Sequence, residues 1–281
     1  MCSATPPSNS SSSSCCDHGI VMVTVTHYPN TSDVRFPLAV ELCELAATKK
    51  LKLVIIDDSP DHSAVRDALE QAGKGHVKVY QQHTAIYQGK GGAIRQAIYN
   101  ARELIQNNNY GNNLDNTAIC YADAEKVDIV NHMNLIVQPI LDGSTDIVVP
   151  ARNKELFQET YPIEQYHSEN FANLHFNSLS QRFEGFRTKE AKQLDWLFGP
   201  FAFRTSLADA WLNYEGTSWD VQIIPFVRAV RHESRRIKSV TINFRHPKQM
   251  KEQEEGDTSW TYKRLRQLNT LFDLLGEHEL S

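Results

Sequence analysis

The sequence predicts an α/β fold with a mostly parallel central sheet flanked by helices, and three observations carry that expectation. Between residues 19 and 150, short β-branched apolar runs alternate with stretches of helical periodicity. Two of those runs end on acidic residues, Ile55-Ile56-Asp57-Asp58 and Cys120-Tyr121-Ala122-Asp123-Ala124-Glu125. A glycine-rich turn, Gly89-Lys90-Gly91-Gly92, opens a helix. Such alternation implies parallel strands joined by helical crossovers, and in sheets of that kind ligands sit at the carboxyl ends of the strands, where both acidic clusters fall.

Taken in order, residues 19–26 are apolar on both faces, as a buried parallel strand is. Phe36, Leu38, Ala39, Leu42, Leu45 and Ala46 then recur at helical spacing, closing on Lys49-Lys50, two cations suited to a helix C-terminus. Residues 51–56 form a second strand, 63–72 a helix closed by Gly73, and 77–80 a third strand. The glycine turn leads into a helix over 93–106, and the polar run 107–116 is a loop. A strand at 117–121, a helix at 135–141 and a strand at 146–150 complete the alternation. Beyond Arg152 the pattern loosens into polar and aromatic stretches (161–186), an apolar patch (194–203) and helical spacing (220–230). A strand (240–244) and an amphipathic helix (262–275) follow. No Pro/Gly/Ser linker separates the halves, so the expectation is a tail over 1–18 and one domain over 19–281. Within it, the expectation divides the domain at residue 151 into a regularly alternating half (19–151) and a looser one (152–281).

A net charge of -5 over 281 residues shows no basic excess, which sets nucleic acid aside as a partner. Cys2, Cys15, Cys16, Cys43 and Cys120 are odd in number and lack CxxC spacing, so neither a disulfide framework nor a zinc site is expected, and a reducing, cytoplasmic setting fits. The Ser-rich opening has no basic region and no apolar run; it reads as a disordered tail rather than a signal peptide. Cys15-Cys16 reads either as two exposed thiols or as an acylation site. No segment reaches the apolar length of a membrane span, so no integral membrane segment is expected, and membrane contact would be peripheral.

Transfer of a sugar from a nucleotide diphosphate requires neutralising the departing diphosphate, which a hard divalent cation on a few carboxylates can do. Residues two apart in an extended segment point the same way, so Asp123 and Glu125 are expected to face one site and hold manganese or magnesium. A carboxylate at Asp57 or Asp58 can accept from a base N–H or ribose hydroxyls; the same residues also read as a plain Asp/Ser/Pro turn. Lys90 and the backbone N–H of Gly91 suit an anion at a helix start. This turn is not a P-loop, because Thr84 stands where that motif needs its first glycine and Gly91 where it needs a hydroxyl.

The order of Asp57-Asp58, Gly89-Lys90-Gly91-Gly92-Ala93-Ile94-Arg95 and Tyr121-Ala122-Asp123-Ala124-Glu125 resembles family 2 glycosyltransferases of the dolichyl-phosphate glucosyltransferase and polyprenyl-phosphate mannosyltransferase type. Residues 145–152 resemble that family's DIVIGSR-like strand and turn, and Ser218-Trp219-Asp220-Val221-Gln222 its FDVEL-like helix start. The matches span about residues 20–230. The resemblance implies a GT-A type nucleotide-diphospho-sugar transferase fold, with Asp57 or Asp58 on the nucleoside, Asp123 and Glu125 on metal and donor, and Asp220 near the acceptor. Asp220 is then the candidate general base, or alternatively a helix cap. His246 is a candidate third metal ligand and Arg152 a candidate contact to diphosphate or an acidic acceptor.

Departures from the pattern are Asp58-Ser59-Pro60-Asp61 without a glycine, Glu125 in place of a second Asp, and Gln222 in place of an acid. Mannosylglycerate and glucosyl-phosphoglycerate synthases, which retain anomeric configuration and use small acidic acceptors, show similar motifs. A sugar-phosphate nucleotidyltransferase is a further alternative, although residues 26–30 lack its glycine-rich loop; a non-catalytic nucleotide-sugar-binding module is another. The reading is a metal-dependent hexosyl transfer from a UDP- or GDP-sugar to a small or lipid-linked acceptor.

Overall fold

The computed structural model describes residues 19–107 and 114–276; the expected tail, three of the cysteines and most of the expected 107–116 loop lie outside them. The first five strands and their helices follow the expected alternation: β1 (Ile20–Thr26), α1 (Phe36–Thr48), β2 (Lys52–Asp57), α2 (His62–Ala72), β3 (Val77–Gln81), α3 (Gly89–Asn107), β4 (Ala118–Tyr121), α4 (Ile129–Leu141) and β5 (Ile147–Arg152). Then come α5 (Lys154–Thr160), α6 (Ile163–Ser180), β6 (Phe201–Arg204), α7 (Ala208–Leu212), α8 (Ile224–His232), β7 (Ile237–Ile242), α9 (Lys248–Glu254) and α10 (Thr258–Gly276), with short 3-10 turns between.

All seven strands form one sheet, ordered β3-β2-β1-β4-β6-β5-β7. β1 pairs in parallel with β2 and β4, β2 with β3, and β5 with β7, while β6 runs antiparallel between β4 and β5. Along β1 the side chains alternate between two cores. Ile20 and Met22 pack with α1, α2 and α4, whereas Val21 and Val23 pack with α3, α7 and α8. Burial on both faces explains why the strand sequence is a continuous apolar run.

Several elements differ from expectation. α4 begins at Ile129 rather than at residue 135, β7 spans Ile237–Ile242 rather than 240–244, and α5 and α9 were not expected. Three further differences concern β6, α6 and α3. The apolar patch at 194–203 contains β6, whose Phe201 and Phe203 stack on Trp211 with ring centroids 5.3 and 3.9 Å away. The stretch 161–186 is largely helix α6, buried through Tyr166, Glu169, Ala172, Phe176 and Ser180; the two polar residues in that stripe hide its periodicity. α3 starts at Gly89 rather than Ala93, so the glycine turn is the first turn of the helix.

The start of β5 is tied to its neighbours by Asp146. Its carboxylate accepts from the Arg236 backbone N–H at 3.0 Å and from the Arg236 guanidinium at 3.1 and 3.2 Å, with Arg204 Nε at 3.4 Å. Partial burial disfavours the ionised form, but Arg236 and Arg204 outweigh it and hold the carboxyl below its ordinary range. Asp146→Asn is expected to lower the unfolding free energy by roughly 1–3 kcal/mol in urea titrations near neutral pH. Because the folded-state pKa is depressed, that difference should shrink as pH falls through it. A variant as stable as the parent at neutral pH would show that this cluster contributes nothing.

Candidate active site

A cavity of about 530 Å³ opens at the carboxyl ends of β1, β2 and β4, lined there by Thr26, His27, Tyr28, Asp58, Asp123 and Glu125. β1 connects to β2 on one side while β4 lies on its other side, so the cavity occupies the point where the strand order reverses. Further lining comes from Arg152, Phe198, Gly199, Trp219, His246 and the α10 residues Trp260, Lys263 and Arg264. Gln222 lines it too.

Asp123 lies just beyond β4 in a turn, not in an extended segment: the Lys126 N–H donates to the Asp123 carbonyl at 3.0 Å. The turn folds residue 126 back, so that Lys126 Nζ donates to Asp123 Oδ2. Lys90 Nζ donates to Oδ1 at 2.7 Å and the Tyr121 hydroxyl to the same oxygen at 2.8 Å. Burial works against ionisation of Asp123, yet Lys126 and Lys90 hold its carboxyl well below the usual range. Glu125 lines the cavity as well, and its charge is felt by Tyr28 and Arg35 and by Tyr121 beside Asp123.

In this structure both oxygens of Asp123, the first expected ligand, accept from ammonium groups. Among the described residues no group of three or more His, Cys, Asp and Glu side chains could hold a metal ion. His246 does reach the cavity, but it stacks on Tyr161 at 4.3 Å between ring centroids and lies 3.9 Å from Glu254. Burial, together with Lys126 and Arg152, pushes its pKa down to about 3, so the ring is neutral, and Nε2 has no hydrogen-bond partner among the described residues.

Three other expected site residues are directed elsewhere. Asp57 is fully buried and outside the cavity lining; its carboxylate accepts from Thr26 Oγ1 at 2.7 Å and Ser59 Oγ at 2.6 Å, with His62 Nδ1 2.9 Å away. It fastens β1 to the start of α2, while its neighbour Asp58 lines the cavity. Gly91 does not offer its N–H to a ligand but donates it to Thr217 O at 3.0 Å. A Cβ there would stand 2.5 Å from Gly216 O and 2.8 Å from Ser218 O, so the residue is glycine because another backbone crosses against it. Asp220 belongs to that same crossing loop: it accepts from the Tyr214 hydroxyl and, at 3.1 Å, from the Ser218 N–H, and it does not line the cavity. Its flanking residue Trp219 does.

Arg152 forms part of the cavity wall with its charge already met. Its guanidinium donates to Asp195 through Nε and Nη2, each at 2.7 Å, and pairs with Glu169 at 2.8 Å. The group lies 3.5 Å over the Phe157 ring. Sequence reasoning missed Lys126, Lys263 and Arg264 as cavity residues. The first follows Glu125 directly, and its spacing of three from Asp123 is the available signal; the other two come from a distant helix and left none.

No protein-family profile and no curated protein matches the chain by sequence. Solved structures do match its fold. Glucosyl-3-phosphoglycerate synthase from Mycobacterium tuberculosis, crystallised with Mn2+, UDP-glucose and phosphoglyceric acid, is 14% identical with a TM-score of 0.56, covering 97% of this chain and 86% of its own. Mannosyl-3-phosphoglycerate synthase from Rubrobacter xylanophilus is 15% identical with a TM-score of 0.50, covering 93% and 76%. A mycobacterial protein of solved structure is 16% identical with a TM-score of 0.58, covering 93% and 76%. The chain therefore has the GT-A nucleotide-sugar transferase fold, and no sequence match ties it to the dolichyl-phosphate glucosyltransferase type. No helix among the described residues is long and apolar enough to cross a membrane.

Arg152→Met should be strongly destabilising, by about 3–5 kcal/mol, because it leaves Asp195 and Glu169 buried without their counter-charge. Urea unfolding should show the midpoint fall; an unchanged midpoint would mean that the two acids are compensated elsewhere.

Proposed function

We propose that this protein transfers a hexosyl group from a UDP- or GDP-sugar to a small, acid-bearing acceptor. The observation that carries the proposal is the cavity itself, built at the strand-order reversal of a GT-A sheet and combining an acidic residue at a strand end with several cations. In this reading Asp58, half exposed beside His27, receives the nucleoside's N–H or hydroxyl donors. Lys90 faces the diphosphate from the first turn of α3. Arg152, held rigid by Asp195 and Glu169, positions the wall on which Phe198 and Gly199 lie.

The bond broken is the one between the sugar's anomeric carbon and the β-phosphoryl oxygen, whose electron pair leaves with the nucleoside diphosphate. A hydroxyl oxygen of the acceptor bonds to that carbon, and its proton is taken up by solvent or a cavity carboxylate. An acid-bearing acceptor agrees with the phosphoglyceric acid found in complex with the M. tuberculosis synthase, and with Lys263, which stands 4.4 Å over the Trp260 ring on the cavity wall. Asp57, Gly91 and Asp220 have no part in this proposal, since their polar groups are used within the fold.

Titration calorimetry of the full chain with UDP, GDP, UDP-glucose and GDP-mannose tests the reading, and one base should be preferred. Asp58→Asn should weaken binding of the preferred nucleoside diphosphate by about tenfold while leaving pyrophosphate binding unchanged. Absence of binding to all four nucleotides would sink the proposal.

A further inference from the structure

We propose that Lys126 and Lys90, both seated on Asp123, supply the positive charge that binds the donor's diphosphate, in place of a divalent cation. The inference rests on the nucleotide-sugar reading above and deepens it. Two ammonium groups share one carboxylate, so the cluster carries a net positive charge at the carboxyl end of β4. An ammonium has more than one N–H donor, and each lysine uses one on Asp123 while lining the cavity, which leaves donors for a ligand.

The surroundings are built for this pair. Lys126 is largely buried, at 19% side-chain exposure, with its Nζ 5.9 Å from the Phe198 ring centroid. Gly199, whose φ of +97° favours glycine, lies against the pair; a Cβ would stand 3.4 Å from Asp123 Oδ2 and 3.8 Å from Lys126 Nζ. The Asp123–Lys126 backbone turn holds the pair from one side, and α3 delivers Lys90 from the other. A divalent ion on Asp123 would have to displace both ammoniums and then sit beside them, with like charges repelling in a partly buried site. A diphosphate meets the opposite situation, since the positive charge is fixed in position before it arrives.

The test is calorimetry on the full chain with two probes, the nucleoside diphosphate preferred above and inorganic pyrophosphate, each in EDTA and in Mn2+. Expected are binding of both probes in EDTA with affinity little changed by Mn2+, and a loss of about tenfold or more in EDTA for Lys126→Met and for Lys90→Met. Lys126→Arg, which keeps the charge, should retain most of the EDTA binding, and thermal melts of each variant separate loss of binding from loss of fold. In Lys126→Met, with an Asp123 oxygen freed, added Mn2+ should restore part of the affinity. If the parent binds the nucleotide only with Mn2+, or if Lys126→Met binds it normally in EDTA, the lysine proposal is overturned while the transferase reading stands. If pyrophosphate binds in EDTA through both lysines but no nucleotide binds, the lysine cradle stands and the nucleotide-sugar reading falls. If neither probe binds under any condition, both fall.

Discussion

The second half of this chain is organised around one buried charge, the guanidinium of Arg152. It sits at the end of β5 and is answered by Glu169 from α6 and Asp195 from the connection leading to β6. A buried cation cannot be left uncompensated, so these three segments must meet in one arrangement. Asp195 also accepts from Asn173, and Asn177, one helical turn on, binds both Leu194 and the Trp196 indole, extending the same constraint along α6. Because Phe198 and Gly199 follow directly, the cluster helps to place the backbone that lies beside Asp123 and Lys126.

The other half obeys a different rule. Its strands need only bury two apolar faces, and β1 does so by simple alternation between two helical layers. The reversal of strand order beside β1 then opens a crevice without any further device. What the crevice contains is a matter of charge placement: a turn after β4 brings Lys126 onto Asp123, and the glycines of α3 let the 216–218 backbone close against the helix start. Those glycines resemble a phosphate-binding turn in sequence yet act here in packing, with Arg95 donating to Gly216 O from the same helix.

Legibility from sequence followed the range of the interactions. The alternating elements up to β5 could be read from their own residues, as could the strand-end positions of Asp58 and Asp123. Helix α6 escaped because Glu169 interrupts its apolar stripe, and Glu169 is there for Arg152, a partner 17 positions away in sequence and only visible once folded. β6 escaped because it is short and antiparallel in an otherwise parallel arrangement, held by aromatic stacking on Trp211. Asp123 and Glu125 do line one cavity, but the turn after β4, which no strand periodicity records, also brings Lys126 onto Asp123.

By itself, then, the sequence determined the class of fold and the end of the sheet where a site would form, since apolar periodicity and strand-end acids are local properties of the chain. Only the tertiary structure decided which polar groups face the cavity and which are used up inside the protein. Asp57, Gly91 and Asp220 are committed to Ser59, Thr217 and Tyr214, whereas Lys263 and Arg264 arrive at the cavity from α10. A side chain's availability depends on partners that are often distant along the chain, and a motif records the residue without its partners.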